Sequence, residues 1–543
     1  MNTTIDNTVI LHNGTFWQGK HAKPIEGWIE IKNDKITKIM GGELPESITA
    51  ENVIDLNQSH VLPGFVDCHT HLTVSAWIPC TIDGSNWTSK LDMLNTLRVH
   101  ARTLKQEAWI VVFYADFYKI GRLPSIEELN EAVGGRPIVI NDFSLHKCLA
   151  NDSAFKQANI TLKTFSSKDI DLKKGKPTGL LREMASGQML STGLRNFAEQ
   201  FENLNIISLL EAEARRHISL GITACHDPIV HPIMQTAMEK LEKLSPIKLS
   251  WSHVKSHEQA DFVSEDLCLS CGTGPKSAKL FLDGADQCAI CLNPMDVMNM
   301  SMRSIAHAFK GNFSSLHTLT NQKMNYKNGK FKSPYLKIDQ KALGQSLDEL
   351  SNQGVRPKIH ALGNEAVKCA CKALKNSGTE NSTIEHLVLI SDDNIEDIAE
   401  CGAVASLQPG FLKQAEEIER SHLDKVFNII PAKSLMNADI PVALSSDNPC
   451  GPLNPLGNIR LAVNRVSGNG VIIDEKERLT TSEAIAAYSM GGHQAIHNTP
   501  HGGIAIGESA DLAILSGHPD NSFVQVISTW IDGKEEYSTG KLK

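Results

Sequence analysis

The feature that most constrains this chain is an alternation of apolar, strand-like segments with amphipathic, helix-like segments across its middle. The segment ISLLEAEARRHISLGITACHD predicts a helix, a turn at Gly221 and a buried strand, and GVRPKIHALGNEAVKCACKALKNSG predicts a strand and a helix that ends at Gly378. Repeated βα units of this kind indicate a parallel sheet or barrel. Their number from residue 61 to about residue 490 fits an α/β protein built on a (β/α)8 TIM-type barrel.

Both ends of the chain have a different sequence pattern from the middle. Segments such as WIEIKNDKITKIMGG and GGIAIGESADLAILSG alternate apolar and polar residues around Asn and Gly turns, which predicts short strands. We therefore expect a small β-sandwich domain built from residues 1–60 and 490–543. The barrel is expected over residues 61–489, with residues 75–200 as an insertion after its first strand.

Bulk properties limit the class of protein. The formal net charge is −9, from 53 basic and 62 acidic residues, which disfavours nucleic acid as a partner. The sequence lacks an apolar run of about eighteen residues, so no membrane span is expected. The N-terminus does not resemble a secretory signal, and the scattered cysteines are interpreted as reduced thiols. We expect a cytoplasmic protein, and a homodimer as its oligomeric state.

The segment VLPGFVDCHTHL, residues 61–72, ends a predicted strand with His69 and His71. Residues two apart on a strand share one face, so the two imidazoles would point into the same space, as a metal ion requires. The chain has 21 histidines in 543 residues, so one such pair is expected by chance. By itself the pair is also compatible with two surface histidines in a loop.

Further polar side chains lie at or near the ends of the predicted barrel strands. They are Lys279 and Asp283 in SAKLFLDG, His360 in KIHALG, His386 in TIEHLVL and Asp447 in VALSSDNP. Barrel enzymes carry their chemistry at the carboxyl ends of the strands. The shared position of these residues with the His-x-His pair therefore predicts one metal site.

In this order, the motifs resemble those of the amidohydrolase superfamily of metal-dependent hydrolases. LPGFVDCHTHL is similar to the opening motif of that superfamily. The chain is further identified as a member of the YtcJ-like branch (amidohydrolase family 3), which includes N-substituted formamide deformylases. The matching segments are KLFLDG, IHALGNEAV, IEHLVL, VASLQPGF, SSDNP and GESADLAILS.

The resemblance implies a role for each predicted ligand. His69 and His71 would hold a buried metal, and His360 and His386 a second one. Lys279 could be carbamylated and bridge two ions, or remain an unmodified lysine paired with Asp283. Asp447 would contact the metal and the attacking water, and act as the catalytic proton acceptor. Zinc suits these ligands, although iron, manganese or cobalt could serve, and the number of ions, one or two, stays open.

Three further residues are expected to bind substrate. His146, in FSLHKCLAN of the insertion, and Gln408, in VASLQPGF, lie in segments that match the family, and Asp283 ends a predicted strand. The resemblance implies a hydrolase that cleaves a non-peptide C–N bond, such as an N-acyl or N-formyl amide of a small molecule. The alternatives are a deaminase or cyclic-amide hydrolase of the same superfamily, and a catalytically silent scaffold.

Two other patterns compete for a metal. CLSC at 268–271 and CAIC at 288–291 have the spacing of a structural zinc site, but the predicted strand KLFLDG lies between them and would separate the two pairs. His493 and His497 in HQAIH have helical i, i+4 spacing without the glutamate or third ligand of a known zinc motif. We interpret HQAIH as a helix face without a functional role.

Overall fold

The computed structural model describes residues 8–19, 23–48, 52–201, 205–256, 260–265, 271–285, 287–309, 323–497 and 501–542. These residues form a mixed α/β structure. No helix in these ranges combines the length and the apolar character needed to cross a membrane.

Strands from both ends of the chain form one eight-stranded sheet. Its members are β1 (Thr8–Phe16), β2 (Ile25–Lys32), β3 (Lys35–Gly41), β4 (Asn52–Asp55), β5 (His60–Pro63), β25 (Leu512–Leu515), β26 (Val526–Ile531) and β27 (Lys534–Ser538). The order is β27-β26-β25-β5-β1-β2-β3, and β4 pairs with β1. Apolar residues such as Leu11, Phe16 and Ile29 are fully buried. Burial does not simply alternate along β1 and β2, because consecutive residues of both strands are buried. The two ends of the chain are thus joined through the pairing of β5 with β25.

The segments with βα alternation supply the parallel strands. They are β6 (Phe65–Asp67), β13 (Ile222–Asp227), β14 (Lys248–Trp251), β15 (His253–Val254), β16 (Ser277–Phe281), β20 (Arg356–Gly363), β21 (Thr383–Ile390), β22 (Val404–Leu407) and β24 (Val442–Leu444). Strands β14, β13 and β6 form one parallel sheet, and β15, β16, β20, β21, β22 and β24 follow each other in a second. The short β23 (Asn428–Ile429) pairs antiparallel with β21.

The two parallel sheets approach each other at both ends. Ser252 alone separates β14 from β15. At the other end, the N–H of Asp447 donates to the carbonyl of His69 at 2.8 Å, and the N–H of His71 donates to the carbonyl of Asn448 at 2.7 Å. These bonds bring the chain after β24 against the chain after β6.

The segment between β6 and β13 forms a sheet of its own. The strands are β7 (Ile82–Asp83), β8 (Ile110–Ala115), β9 (Ile138–Asp142), β10 (Lys147–Ala150), β11 (Ile170–Lys173) and β12 (Lys176–Arg182), in the order β11-β12-β10-β9-β8-β7. A small sheet in the order β17-β19-β18 contains β17 (Cys291–Leu292), β18 (Asn325–Lys327) and β19 (Lys330–Lys332). The loop between β9 and β10 and the helix that follows β12 supply part of the cavity described below.

Helices connect most of these strands. The α-helices are Leu72–Ser75, Lys90–Ala101, Phe117–Ile120, Ile126–Val133, Asp152–Gln157, Glu183–Ala198, Ile206–Ile218, Gln235–Leu244, Pro294–Phe309, Gln340–Asn352, Asn364–Ser377, Asp392–Cys401, Glu416–Arg420, Ala432–Asn437, Pro455–Asn464, Thr481–Ala487 and Met490–His497. Short 3-10 helices span Ile78–Cys80, Pro232–Met234, Pro409–Gln414, Leu423–Lys425 and Glu475–Glu477. Gly378 ends the helix Asn364–Ser377 at φ +63°, a left-handed conformation that favours glycine.

Candidate metal centre

The parallel strands bring the predicted ligands to one edge. Their register pairs Phe281 of β16 with His360 of β20, and His360 with Glu385 of β21. Because carboxyl ends of parallel strands meet at the same edge of a sheet, residues far apart in sequence become neighbours there. The bonds between the segments after β6 and β24 add His69 and Asp447 to the same place.

Asp447 lies at the centre of the cluster. Its Oδ1 is 2.9 Å from Nε2 of His71 and 3.3 Å from Nε2 of His69, and its Oδ2 is 3.9 Å from Nδ1 of His386. All four side chains are buried. Asp447 adopts φ +53° and His386 adopts φ +81°, conformations that are uncommon for residues other than glycine and that concentrate at functional sites.

His360 extends this cluster on the side of β20. Its ring centroid is 4.4 Å from that of His386, and the ring of His386 is 4.9 Å from that of His69. The structure therefore places five of the six predicted metal ligands together: His69, His71, His360, His386 and Asp447.

Lys279 points toward the same cluster but pairs with Glu385. The Lys279 ammonium contacts one oxygen of the Glu385 carboxylate, and the other oxygen lies 3.1 Å from Nδ1 of His69. Both side chains are fully buried. The alternative that an unmodified Lys279 pairs with Asp283 is wrong in this structure, since Glu385 is its partner.

The electrostatics of the cluster favour metal binding. Burial and the neighbouring His386 hold the pKa of His360 well below its usual value, and burial and the neighbouring His69 do the same for His386. Burial would raise the pKa of the Asp447 carboxyl, but the adjacent His69 and His71 outweigh it and keep that pKa well below its usual value. Burial would lower the pKa of His69, but the Glu385 carboxylate outweighs it and raises that pKa. The neutral imidazoles of His360 and His386 and the ionised carboxylate of Asp447 are in the protonation states in which these groups bind metal.

Buried polar atoms without hydrogen-bond partners test whether the cluster fits an ion. Among the residues described, they include Nε2 of His360 and Oδ1 of Asp447. Buried polar atoms are nearly always satisfied, so two such atoms in one cluster point to a missing partner. Ligand atoms of His69, His386 and Asp447 also lie within 4.8 Å of one another. The residues fit a divalent cation.

Gln408 and Asp283 differ from the expectation that they contact substrate. Oε1 of Gln408 lies 2.8 Å from Nδ1 of His386, and its amide nitrogen donates to the hydroxyl of Ser445 at 2.9 Å. The two oxygens of Asp283 accept backbone N–H groups of Ala289, Leu362 and Gly363 at 2.9–3.0 Å.

Both side chains are completely buried, and neither lines the cavity. Gln408 accepts from the Nδ1–H of His386, which leaves Nε2 of that imidazole as the nitrogen with a lone pair. Asp283 instead fixes the chain that follows His360. Instead of contacting substrate, Gln408 orients His386, and Asp283 holds the backbone that follows His360.

A cavity of about 560 Å³ opens above the cluster. His69, His71, Lys279, His360, His386 and Asp447 lie at one end of it. Much of the remaining wall is apolar, and this part includes Trp77, Leu145, Met184, Leu190, Leu194, Ile206, Ile229, Met234, Phe262 and Phe281. The cavity therefore joins a polar, ligand-rich end to an apolar chamber.

A second polar group faces the cavity from the segment between β6 and β13. Nδ1 of His146 lies 2.7 Å from Oε2 of Glu183, and Nζ of Lys337 donates to the same oxygen at 3.2 Å. The ring centroid of His146 is 5.3 Å from that of His360, so the expected substrate-contact residue stands beside the ligand cluster. The Glu183 carboxylate packs directly against Gly284. A Cβ at that position would lie 2.0 Å from the carboxylate, so a larger residue does not fit there.

Sequence reasoning missed Glu385 and Lys337. Strict strand alternation sends Glu385 and His386 to opposite faces, and this argument fails because His386 is left-handed and the β20–β21 register shifts nearby. The sequence feature that could have revealed Glu385 is a carboxylate within TIEHLVL, a segment that is mostly apolar. Lys337 lies in an irregular segment, where no periodicity predicts the direction of a side chain.

The alternative zinc site at the two Cys-x-x-Cys pairs depends partly on Cys268, which lies outside the described residues. Cys271 is buried, and Cys288 and Cys291 are half-buried. Within the described ranges, the groups of potential ligands are those around Asp447, and none includes these three cysteines.

Comparisons with known proteins identify the family of this chain. The model of the amidohydrolase family matches residues 52–537. N-substituted formamide deformylase of Arthrobacter pascens is 23% identical over 535 residues, which cover 92% of this chain and 92% of the relative. YtcJ of Bacillus subtilis (strain 168), which is named as an amidohydrolase, is 24% identical and covers 86% of this chain and 85% of its own length.

A solved structure shares the fold. The crystal structure of an uncharacterized metal-dependent hydrolase from Pyrococcus horikoshii OT3 superposes with a TM-score of 0.67 and 20% sequence identity. The match covers 98% of this chain and 100% of that one. The family match, the relatives and the solved structure all extend over most of the chain.

Proposed function

This chain belongs to the amidohydrolase family, in its YtcJ-like branch, and on that premise we propose that it is a metal-dependent hydrolase of an N-acyl or N-formyl amide. The observation that carries the proposal is the position of Asp447, within 3.3 Å of both His69 and His71 at the ligand-rich end of a large cavity. The name of the Arthrobacter relative supports a formamide or related amide as the bond that is cleaved.

The metal would be held by His69, His71, His360, His386 and Asp447. A bound divalent ion lowers the pKa of water and polarises a carbonyl group. Zinc suits histidine and aspartate ligands, and iron, manganese and cobalt are the alternatives that an elemental analysis would separate. The measured ratio of metal to protein would show whether one or two ions are bound.

Asp447 would act as the general base. Its carboxylate is ionised at neutral pH, because the neighbouring His69 and His71 hold its pKa low against the effect of burial. It can therefore accept a proton from water at the carbonyl carbon and deliver that proton to the departing nitrogen. Gln408 and Glu385 would hold His386 and His69 in the orientations that binding requires.

Lys279 would remain an ammonium group when paired with Glu385. Carbamylation replaces its positive charge by a negative one beside the buried Glu385 carboxylate, which raises the electrostatic cost of the modified form. The carbamylated form is the alternative, and an intact mass measurement of the native protein separates the two.

Substrate would occupy the apolar chamber with its acyl carbon toward Asp447. Apolar side chains such as Trp77, Leu190 and Phe262 favour a hydrophobic substituent on the amide. His146 would contact the substrate through Nε2, because Nδ1 is occupied by Glu183. The substrate is thus a small-molecule amide with an apolar group.

The finer architecture and setting belong to the same proposal. The backbone bonds between the segments after β6 and β24 support closure of the parallel strands into a (β/α)8 barrel over residues 61–489. The shared sheet of both chain ends supports a small β domain from residues 1–60 and 490–543. A cytoplasmic location and a homodimer remain predictions.

The test combines metal analysis with an amide panel. Purified protein is assayed for bound metals, and N-formyl and N-acyl derivatives of alkyl and aryl amines are offered with and without a chelator. We expect bound divalent metal and hydrolysis that the chelator abolishes. Full turnover by metal-free protein, or turnover that the chelator does not affect, contradicts the proposal.

The panel also contains a cyclic amide and an amino-substituted heterocycle. Hydrolysis of one of these in place of the linear amides would indicate the cyclic-amide hydrolase or the deaminase. Protein that binds no metal and acts on none of the compounds would indicate the catalytically silent scaffold.

A further inference from the structure

Cys450 lies at the candidate metal centre, although neither the strand pattern nor the predicted ligand set includes it. We propose that Cys450 is a thiolate ligand of the ion on the His71 side of Asp447. This inference rests on the proposed metal-dependent function, and it adds a ligand of different chemistry to the histidines and the aspartate.

The geometry places three ligand atoms in one group. The sulfur of Cys450 and one ligand atom each of His71 and Asp447 lie within 4.8 Å of one another, and all three residues are buried. Zinc binds sulfur at about 2.3 Å and nitrogen at about 2.0 Å, so ligand atoms around one ion lie up to about 4 Å apart. Small side-chain adjustments therefore suffice to close the group around an ion.

A second observation points to a ligand at this place. Oδ1 of Asp447 is buried and has no hydrogen-bond partner among the described residues, although it lies between His69 and His71. Buried polar atoms are nearly always satisfied, so this oxygen points to a missing partner such as a cation. The thiol of Cys450 stands on the same side and lines the same cavity.

The present contact of the thiol is weak and can be exchanged. Sγ of Cys450 donates to the carbonyl of Ser144 at 3.2 Å. A thiol is a poor hydrogen-bond donor, so loss of this contact to Ser144 costs little. Among the described residues that line the cavity, Cys450 is the only cysteine, so no second thiol competes for the ion there.

Ligand formation is a simple exchange of a proton for a metal ion. The S–H bond breaks, its proton passes to solvent, and an electron pair of the sulfur forms the bond to the metal. No oxidation or reduction takes place. A thiolate favours zinc or cobalt over the harder magnesium and manganese ions, so Cys450 would bias the metal that the site selects.

Cobalt spectroscopy tests the proposal. Full-length metal-free protein is loaded with Co²⁺, bound cobalt is quantified, and the near-ultraviolet thiolate-to-cobalt charge-transfer band is recorded. Wild-type protein is expected to show the band. Cys450→Ser and Cys450→Ala are expected to bind cobalt and lose the band, whereas the matched control Cys291→Ser, which lies outside the cavity wall, keeps it.

Two results would overturn the proposal. One is cobalt-loaded wild-type protein without the band, and the other is a band that survives in a Cys450 variant. X-ray absorption of the zinc-loaded wild-type protein gives a test that needs no variant: a sulfur neighbour at about 2.3 Å supports the thiolate ligand, and its absence contradicts it. Failure of wild-type protein to bind any divalent metal would instead contradict the proposed function itself.

Discussion

The carboxylate of Glu385 lies 3.1 Å from Nδ1 of His69. A carboxylate in this position fixes the tautomer and the orientation of an imidazole, so that Nε2 would be the atom directed toward a bound metal. Its second oxygen contacts Lys279, so the same side chain connects a predicted ligand with a buried ammonium group.

Removal of this carboxylate should weaken metal binding. For Glu385→Gln we expect a loss of about 10- to 100-fold in metal affinity, the usual effect of deleting a group that orients a histidine ligand. Competition with a chromogenic chelator measures it. Glu400→Gln removes an exposed carboxylate of the Lys375 pair and serves as the control, with unchanged affinity expected. Equal affinities in the wild type and Glu385→Gln would show that His69 does not need this partner.

Substitutions of His69 and of His493 compare the ligand cluster with the histidine pair His493 and His497. His69→Ala should abolish turnover and reduce bound metal, because His69 directly faces Asp447. His493→Ala should do neither, because His493 lies on the helix Met490–His497 and outside the cavity wall. Elemental analysis and the amide assay report both properties. The opposite pattern would mean that the wrong histidines have been assigned.

His146 should affect turnover without affecting the metal. His146→Asn is expected to lower kcat/KM by about 10- to 100-fold, the range for loss of a hydrogen bond that involves a charged group. Its metal content should equal that of the wild type, because His146 contacts Glu183 and is not one of the predicted ligands. His100→Asn, in the helix Lys90–Ala101, is the control. Unchanged kcat/KM in His146→Asn would remove this residue from the substrate site.

Gly284 tests the position of Glu183. A methyl group at Gly284 would overlap the Glu183 carboxylate, so Gly284→Ala should destabilise the protein by about 1–3 kcal/mol and lower turnover. Gly344→Ala is the matched control. Gly344 lies in the helix Gln340–Asn352 with open space around its Cα, and alanine there should stabilise the helix by up to about 1 kcal/mol. Urea unfolding compares the two variants, and equal shifts would contradict the close approach.

The buried Glu183 carboxylate should make stability depend on pH in the acid range. Burial would raise its pKa, but the charges of Lys337 and His146 outweigh this effect and lower the pKa from 4.5 to about 2. A depressed pKa stabilises the folded state above pH 4.5, and this contribution is lost as the pH falls from 4.5 toward 2.

Urea unfolding of Glu183→Gln and of the wild type at pH 6 and at pH 3 measures this contribution. Wild-type protein should be the more stable at pH 6, and the difference should become smaller at pH 3. Glu131→Gln, at an exposed position, provides the surface control. A difference that is constant or increases toward acid pH would show that Glu183 is not held as an anion.

Sequence alone could predict the ligands that follow regular strand ends. His69, His71 and Asp447 come after buried strands, and the structure brings them together as the family resemblance implies. Asp283 and Gln408 follow strands in the same way, yet their side chains turn away from the cavity to bind backbone N–H groups and His386. The position of a residue at a strand end does not determine the direction of its side chain.

The apolar chamber of the cavity was less accessible to prediction. Its walls come largely from the helix Glu183–Ala198 and from irregular segments such as that of Lys337. These elements meet only through tertiary packing, and their contacts leave no periodic trace in the sequence. The left-handed backbone at His386 also breaks the alternation from which strand faces are predicted.

Strand β5, which leads directly into β6 and the His69 segment, pairs on one side with β1 and on the other with β25. Its two neighbours therefore come from segments that lie far apart in the sequence. Contacts between such distant segments form slowly in folding, because the entropy of closing the intervening loop is lost first. A substitution in β25 would consequently disturb the strand that positions the His69 segment, although the two are distant in sequence.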